Sequence, residues 1–372
     1  MSGLYLHIPF CRKRCTYCDF HFSTTFENYR TDLIAALGQE LYFRKNESQS
    51  ALRSIYFGGG TPSLLHEKEL QSIFKEIHQH YELTKDCEIT LEANPEDINE
   101  ANLKAWSLVG INRLSIGLQT LSDGDLQWMN RAHSVQDGIR AIALAQRFGF
   151  ENISVDLIYG LPGLSLDFWR HTLKSVLELG IQHLSAYCLT VEPKTALNYM
   201  VRTKKLQPAN EVLQSDQFME LVNQAQMHGF EHYEISNFSL PGLHSKHNSS
   251  YWQFLPYIGV GPSAHSFDGK MRRWNIRNNT QYTRGVGKND GWFDCEILTP
   301  NELRNEQILL GLRTKWGLDL NRFSTNWTKK ESAQIEEFTR LNWIKVQGST
   351  LLLTDIGKLH ADGIAAALFR LD

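Results

Sequence analysis

The sequence predicts an α/β fold, a partial barrel of six strand–helix units followed by a small, mainly helical, winged-helix-like C-terminal domain. Two regularities carry this expectation. Short apolar runs alternate six times with longer amphipathic stretches, which argues for a parallel sheet with helices on its outer face. From Thr299 onward the pattern changes to helix, helix, hairpin, helix. A chain of 372 residues is long enough to bury a large core and a second, smaller one.

The first apolar run is Leu4 to Ile8, and Phe26, Tyr29, Leu33, Ile34, Leu37 and Leu41 then recur at helical spacing. Ser54 to Phe57 forms the second run and ends in Gly58-Gly59-Gly60. A helix over about 67–80 leads to the third run, Cys87 to Ala93, and a helix near 100–109 to the fourth, Arg113 to Leu118. An amphipathic stretch over 135–148 precedes Ile153 to Tyr159, the most β-like run of all. Helices over about 165–179 and 210–228 flank the sixth run, His183 to Leu189, and precede Tyr233 to Phe238. Repetition favours a curved sheet over a flat one, and in either case functional residues belong at the C-terminal strand ends. Gly285 to Gly291 is glycine-rich and polar and reads as a linker or long loop. The expected divisions are residues 1–240 (barrel), 241–298 (extension and linker) and 299–372 (C-terminal domain).

Hydrophobic and charged contents of 42% and 21% are ordinary for a globular protein, and a formal charge of −3 gives no footprint for nucleic acid. Apolar stretches are interrupted well before the roughly 20 residues of a spanning helix, and the N-terminus does not read as a signal peptide. The cytoplasm is therefore the expected compartment, and Asn-x-Ser/Thr matches, among them Asn248 and Asn326, carry no meaning as glycan sites. The six cysteines are expected to be reduced thiols. Cys87, Cys188 and Cys295, scattered in apolar surroundings, read as small buried hydrophobes.

Cys11-Arg12-Lys13-Arg14-Cys15-Thr16-Tyr17-Cys18 places three thiols on one tight loop. Such a loop can hold three irons of a [4Fe–4S] cube and leave the fourth open, with the basic residues lowering thiol pKa. On spacing alone, a closed zinc site of Cys11, Cys15, Cys18 and His21 competes.

The surrounding residues favour the cluster. Tyr5-Leu6-His7-Ile8-Pro9-Phe10-Cys11, then Asp19-Phe20, then Gly58-Gly59-Gly60-Thr61-Pro62 after the second strand, resemble the radical S-adenosylmethionine (SAM) superfamily. Within it the chain is similar, over nearly its whole length, to the coproporphyrinogen oxidase-like group. The resemblance implies a [4Fe–4S] cluster on Cys11, Cys15 and Cys18 and a SAM site built from Tyr5, Tyr17, Gly59, Gly60, Thr61, Glu92, Gln119, Arg131 and Asp156. Taken singly, each is an ordinary strand-end residue; their joint placement on successive strand ends is what speaks. The implied chemistry is reductive cleavage of SAM to methionine and a 5′-deoxyadenosyl radical, with electrons from an unnamed reductant.

Two departures separate the chain from the oxidase itself. Phe20 stands where the oxidase has a fourth cysteine, and only four residues precede Tyr5. Both resemble the haem-chaperone branch, as does His247-Asn248-Ser249-Ser250-Tyr251-Trp252, whose imidazole and aromatic rings suit haem. That branch implies haem as cargo, an acceptor protein, and a cluster and SAM that control release or dimerisation, with a peripheral membrane contact and a homodimer left open. His7, His21 and His265 compete with His247 for the iron. The alternative is a radical SAM oxidoreductase acting on a porphyrinogen.

Overall fold

The computed structural model describes residues 2–48, 50–323 and 327–371; Asn326 lies outside them. Its main feature is a twelve-stranded sheet. Six parallel strands stand side by side in chain order: β1 (Ser2–Ile8), β2 (Leu52–Gly59), β3 (Leu83–Ala93), β4 (Arg113–Gln119), β5 (Ile153–Tyr159) and β6 (His183–Cys188). Sequential order is what successive strand–helix units give when each strand pairs with the next.

The two faces of these strands differ in chemistry. Leu4, Leu6, Ile8, Ile55, Phe57, Leu91, Leu114, Ile116, Val155, Leu157 and Leu184 are buried in one apolar core. With period 2, the intervening positions point to the opposite face, and these are Tyr5, His7, Ser54, Tyr56, Thr90, Glu92, Ser115, Asp156 and Ser185. Cross-strand bonds join members of this polar face: Ser115 Oγ donates to Asp156 at 3.2 Å, and Ser154 Oγ pairs with His183 Nδ1 at 2.8 Å. The interior face is a polar lining, and the core lies outside it, under the helices.

Helices cover the apolar face, among them Arg30–Phe43, Glu67–His80, Glu100–Leu108, Val135–Arg147 and Leu166–Leu177. Ser134 and Asp137 close a capping box at the start of the fourth of these, which fixes where it begins. Tyr233 to Phe238 is not a seventh parallel strand. It forms an antiparallel hairpin of β7 (Glu231–Glu234) and β8 (Asn237–Ser239), with β8 against β6.

The chain then returns to the opposite edge. Strands β9 (Tyr257–Val260), β10 (His265–Phe267), β11 (Met271–Asn275) and β12 (Phe293–Ile297) extend the sheet from β1, with β9 parallel to it. The linker expected over residues 285–291 is corrected: Asn279–Lys288 is a helix. Its Tyr282 and Val286, one turn apart, are buried in the main core, and Gly285 serves close packing, since a Cβ there would sit 2.7 Å from Trp292 Cβ. Glu40, fully buried on the Arg30–Phe43 helix, clamps this return. It accepts bonds from Gly261 N (2.8 Å), Asn275 Nδ2 (2.9 Å), Tyr282 Oη (2.5 Å) and Arg44 Nη1 (3.2 Å).

The C-terminal part has its own core of Ile308, Leu312, Leu318, Ile344, Leu351, Leu353, Ile364 and Leu368. Helices Pro300–Leu312 and Lys329–Arg340 pack with the sheet of β13 (Leu318–Asp319), β14 (Ile344–Gln347) and β15 (Thr350–Leu353). The single last helix expected from the pattern is two, Asp355–Lys358 and Ala361–Ala367. The module docks on the β7–β8 hairpin: Arg313 Nε reaches Glu234 at 3.2 Å, Lys315 reaches Glu231 at 2.6 Å, and Lys358 Nζ donates to His232 Nδ1 at 2.9 Å.

Candidate cluster and cofactor site

A cavity of about 1390 Å³ opens at the C-terminal ends of the parallel strands. Cys11, Cys15 and Cys18 line it, on the loop after β1. Thr61 Oγ1 lies 3.5 Å from Cys11 Sγ, and Arg131 Nη1 lies 3.7 Å from Cys15 Sγ. Donors aimed at sulfur suit thiolates that carry iron. The loop is held in place from elsewhere in the barrel: Asn130 Nδ2 donates to the Arg14 carbonyl at 2.8 Å, and Thr16 N to the Met129 carbonyl at 3.2 Å.

At Cys11 and Cys18 the expected depression by the flanking bases is outweighed. Burial dominates, pushing Cys11 up to about 12 and Cys18 up to about 11. Arg12 is committed to Asp97, and Arg14 Nη2 to the Lys194 carbonyl at 3.1 Å. Metal binding must therefore displace protons from these sulfurs. His21, the fourth ligand of the zinc alternative, is turned to Asn279, with Nε2 2.6 Å from Asn279 Oδ1 and its ring stacked on His7.

Tyr17, Gly59, Gly60, Thr61, Glu92, Gln119, Arg131 and Asp156 line the same cavity. At Gly60 a Cβ would meet the Phe10 and Ile8 carbonyl oxygens at 2.7 and 2.8 Å, so open backbone is required there. Gln119 ends β4 with φ +71°, a left-handed conformation unfavourable for a side chain of its kind. Arg131 Nη2 donates to Asn94 Oδ1 at 2.7 Å and to the Gly117 carbonyl at 2.9 Å, while its buried Nε has no protein partner. Desolvation in the cavity wall raises Glu92 to about 7 and Asp156 to about 6, with Tyr56 Oη donating to Glu92 at 2.8 Å. A guanidinium with its Nε unsatisfied, two carboxylates and glycine backbone around one space fit a zwitterionic nucleoside such as SAM.

Tyr5 departs from the set. It lines a second cavity of about 600 Å³, with Tyr251, Trp252, Tyr257, Phe267 and His265, and its hydroxyl donates to His7 Nδ1 at 3.1 Å. Gly59 and Glu92 belong to the walls of both cavities. His247 does not line the second one. It is buried in the short helix Lys246–Trp252, with Nδ1 2.9 Å from Ser54 Oγ and Nε2 2.8 Å from Tyr251 Oη. Glu88 of β3 holds that helix by accepting from the N–H groups of Lys246 (2.9 Å) and His247 (3.0 Å).

Sequence reasoning missed Asn94, which orients Arg131, and Tyr187, the last residue but one of β6, at the first cavity; the strand-end rule would have found both. Of the cysteines taken as buried hydrophobes only Cys87 is one. Cys188 lines the first cavity and Cys295 is exposed. Edge strand β12 has few neighbours to cover it, which leaves Cys295 in solvent.

Residues 5–176 match the radical SAM superfamily and residues 298–360 match the HemN C-terminal domain. The heme chaperone HemW of Bacillus subtilis is 32% identical over 99% of each chain, and that of Synechocystis is 34% identical over 93% of this chain and 87% of the other. The structure of coproporphyrinogen III oxidase (HemN) from Escherichia coli, described as a radical SAM enzyme, superposes with a TM-score of 0.85 at 22% identity, covering 99% and 90%. That likeness establishes the fold, including the small C-terminal domain. Radical SAM membership implies a [4Fe–4S] cluster and SAM, and the cysteine loop and cavity fit both. On full-length identity to its relatives, this chain belongs to the HemW family of radical SAM proteins.

Proposed function

We propose that this chain is a haem chaperone, which takes up haem and passes it to an acceptor protein. One observation carries the reading: an aromatic, histidine-lined cavity shares Gly59 and Glu92 with the cavity that holds the cysteine loop. When bound, the cluster and SAM supply a reducible centre that draws its electron from a cellular reductant. Cys11, Cys15 and Cys18 hold the cluster; Tyr17, Gly59, Gly60, Thr61, Glu92, Gln119, Arg131 and Asp156 position SAM. Tyr5, Tyr251 and Trp252 form part of the haem wall. The C-terminal domain acts as a lid, since Trp343, His360 and Ile364 line the rim of the first cavity. In this division residues 1–240 carry the cluster and SAM, 241–298 complete the haem cavity and 299–372 cover the first cavity. Among the described residues no helix is long and apolar enough to cross a membrane, in keeping with a cytoplasmic site of action that meets a membrane-bound acceptor at its face.

The test is anaerobic reconstitution with haem, SAM and an apo-haem protein as acceptor, with coproporphyrinogen III assayed in parallel. Stoichiometric haem uptake and its appearance in the acceptor is the expected result. Decarboxylation of coproporphyrinogen without stable haem uptake would overturn the chaperone reading.

A further inference from the structure

The chaperone reading does not say which side chain meets the iron; hydrogen bonds take two of the four histidines, His7 and His247, out of the choice, and exposure at the cavity favours His265 over the half-buried His21. His7 is committed: Nε2 donates to the His21 carbonyl at 2.8 Å, so Nδ1 is left to accept from Tyr5 Oη. Both nitrogens of His247 are engaged, on Ser54 and Tyr251, and its ring is buried away from either cavity. His21 spends Nε2 on Asn279, keeps Nδ1 without a hydrogen bond among the described residues, and stacks its ring on His7. His265, exposed on β10 at the second cavity, makes no hydrogen bond through either ring nitrogen among the described residues. Iron needs a neutral imidazole lone pair, and desolvation together with nearby Arg272 holds His265 below the usual imidazole range.

The arginines divide in the same way. Arg272 is fixed by two bonds to Glu306, at 2.7 and 2.8 Å. Arg277, also at the cavity, donates to the Asp19 carbonyl and makes no ion pair among the described residues. The rim carries strain as well. Phe254 (φ +59°) and Ser263 (φ +65°) are non-glycine residues in the left-handed region, and Phe254 packs on Phe267 with centroids 4.6 Å apart.

We infer that the second cavity seats haem with His265 as its iron ligand and Arg277 as the partner of a haem carboxylate, while His247 acts behind the wall by orienting Tyr251. The inference rests on the chaperone reading.

The full-length protein is titrated with haem as wild type, His265→Ala, Arg277→Gln and His247→Phe, recording the Soret band and spin state, with thermal melts as a folding control. His265→Ala is expected to shift the Soret band and weaken uptake at least tenfold, with added imidazole restoring the wild-type spectrum. Arg277→Gln is expected to weaken uptake of haem about three- to tenfold and leave uptake of haem dimethyl ester unchanged. His247→Phe is expected to keep the wild-type ligand spectrum. An unchanged spectrum and affinity in His265→Ala, with wild type binding normally, overturns this assignment and leaves the chaperone reading standing. No haem uptake by the wild type sinks the chaperone reading, and the assignment with it.

Discussion

The two cavities are built in opposite ways. The first collects one or two residues from the end of each successive unit: the Cys11–Cys18 loop, Gly59 to Thr61, Glu92, Gln119, Arg131 and Asp156. The second forms where the returning chain pairs beside β1, with Tyr5, His7 and His21 from the start of the chain and Tyr251 to Arg277 from the returning segment. A site made by repetition inherits its geometry from the repeat. A site made by closure depends on whatever holds the closing segment down, which here is Glu40.

The largest expected effect separates the two. Cys11→Ala should reduce cluster iron to background after anaerobic reconstitution, while haem uptake stays at the wild-type level; parallel loss of both would mean one site, not two. Next is Glu40→Ala, which takes the shared acceptor from Gly261 N, Asn275 and Tyr282, while Arg44 keeps Glu47 at 2.6 Å. Leaving a buried donor unsatisfied costs about 1–3 kcal/mol, read from the denaturant midpoint, and here haem uptake should suffer before cluster assembly does.

A smaller effect lies on the shared wall. Glu92 titrates near 7 in the folded chain, above the ordinary carboxylate value, so the folded state holds a proton that the unfolded state releases. Its contribution to stability is intact at acid pH and is lost as pH rises through about 7. Glu92→Gln should therefore gain stability over wild type as pH rises from about 4.5 to 7, by on the order of 2 kcal/mol. A constant difference across that window would mean that the carboxylate is already solvated. The smallest effect is that of Cys295→Ser. This exposed thiol is no ligand, and its loss should change stability by less than about 0.5 kcal/mol and leave iron content unchanged.

The same contrast explains what the sequence made legible. Ile153 to Tyr159 is read to the residue as β5, because a β-branched run buried in a parallel sheet announces itself locally. The first cavity follows from strand ends plus the cysteine spacing. Tyr5 was harder: alternation places it on the interior face, but only the return of β9 beside β1 decides which cavity it meets. The Lys246–Trp252 motif reads as a ligand loop because its polar partners, Ser54 and Glu88, are distant in sequence. Gly285 misleads for a related reason, since the Trp292 side chain that demands the glycine acts through tertiary contact.

The position of β1 also sets an order of events during synthesis. It leaves the ribosome ahead of β2, with which it pairs some fifty residues later, and keeps its other edge bare until β9 emerges. At roughly 5–20 residues per second that interval is about 12–50 s. For that time the nascent chain offers an unpaired parallel strand, flanked by reactive thiols, to any neighbouring polypeptide.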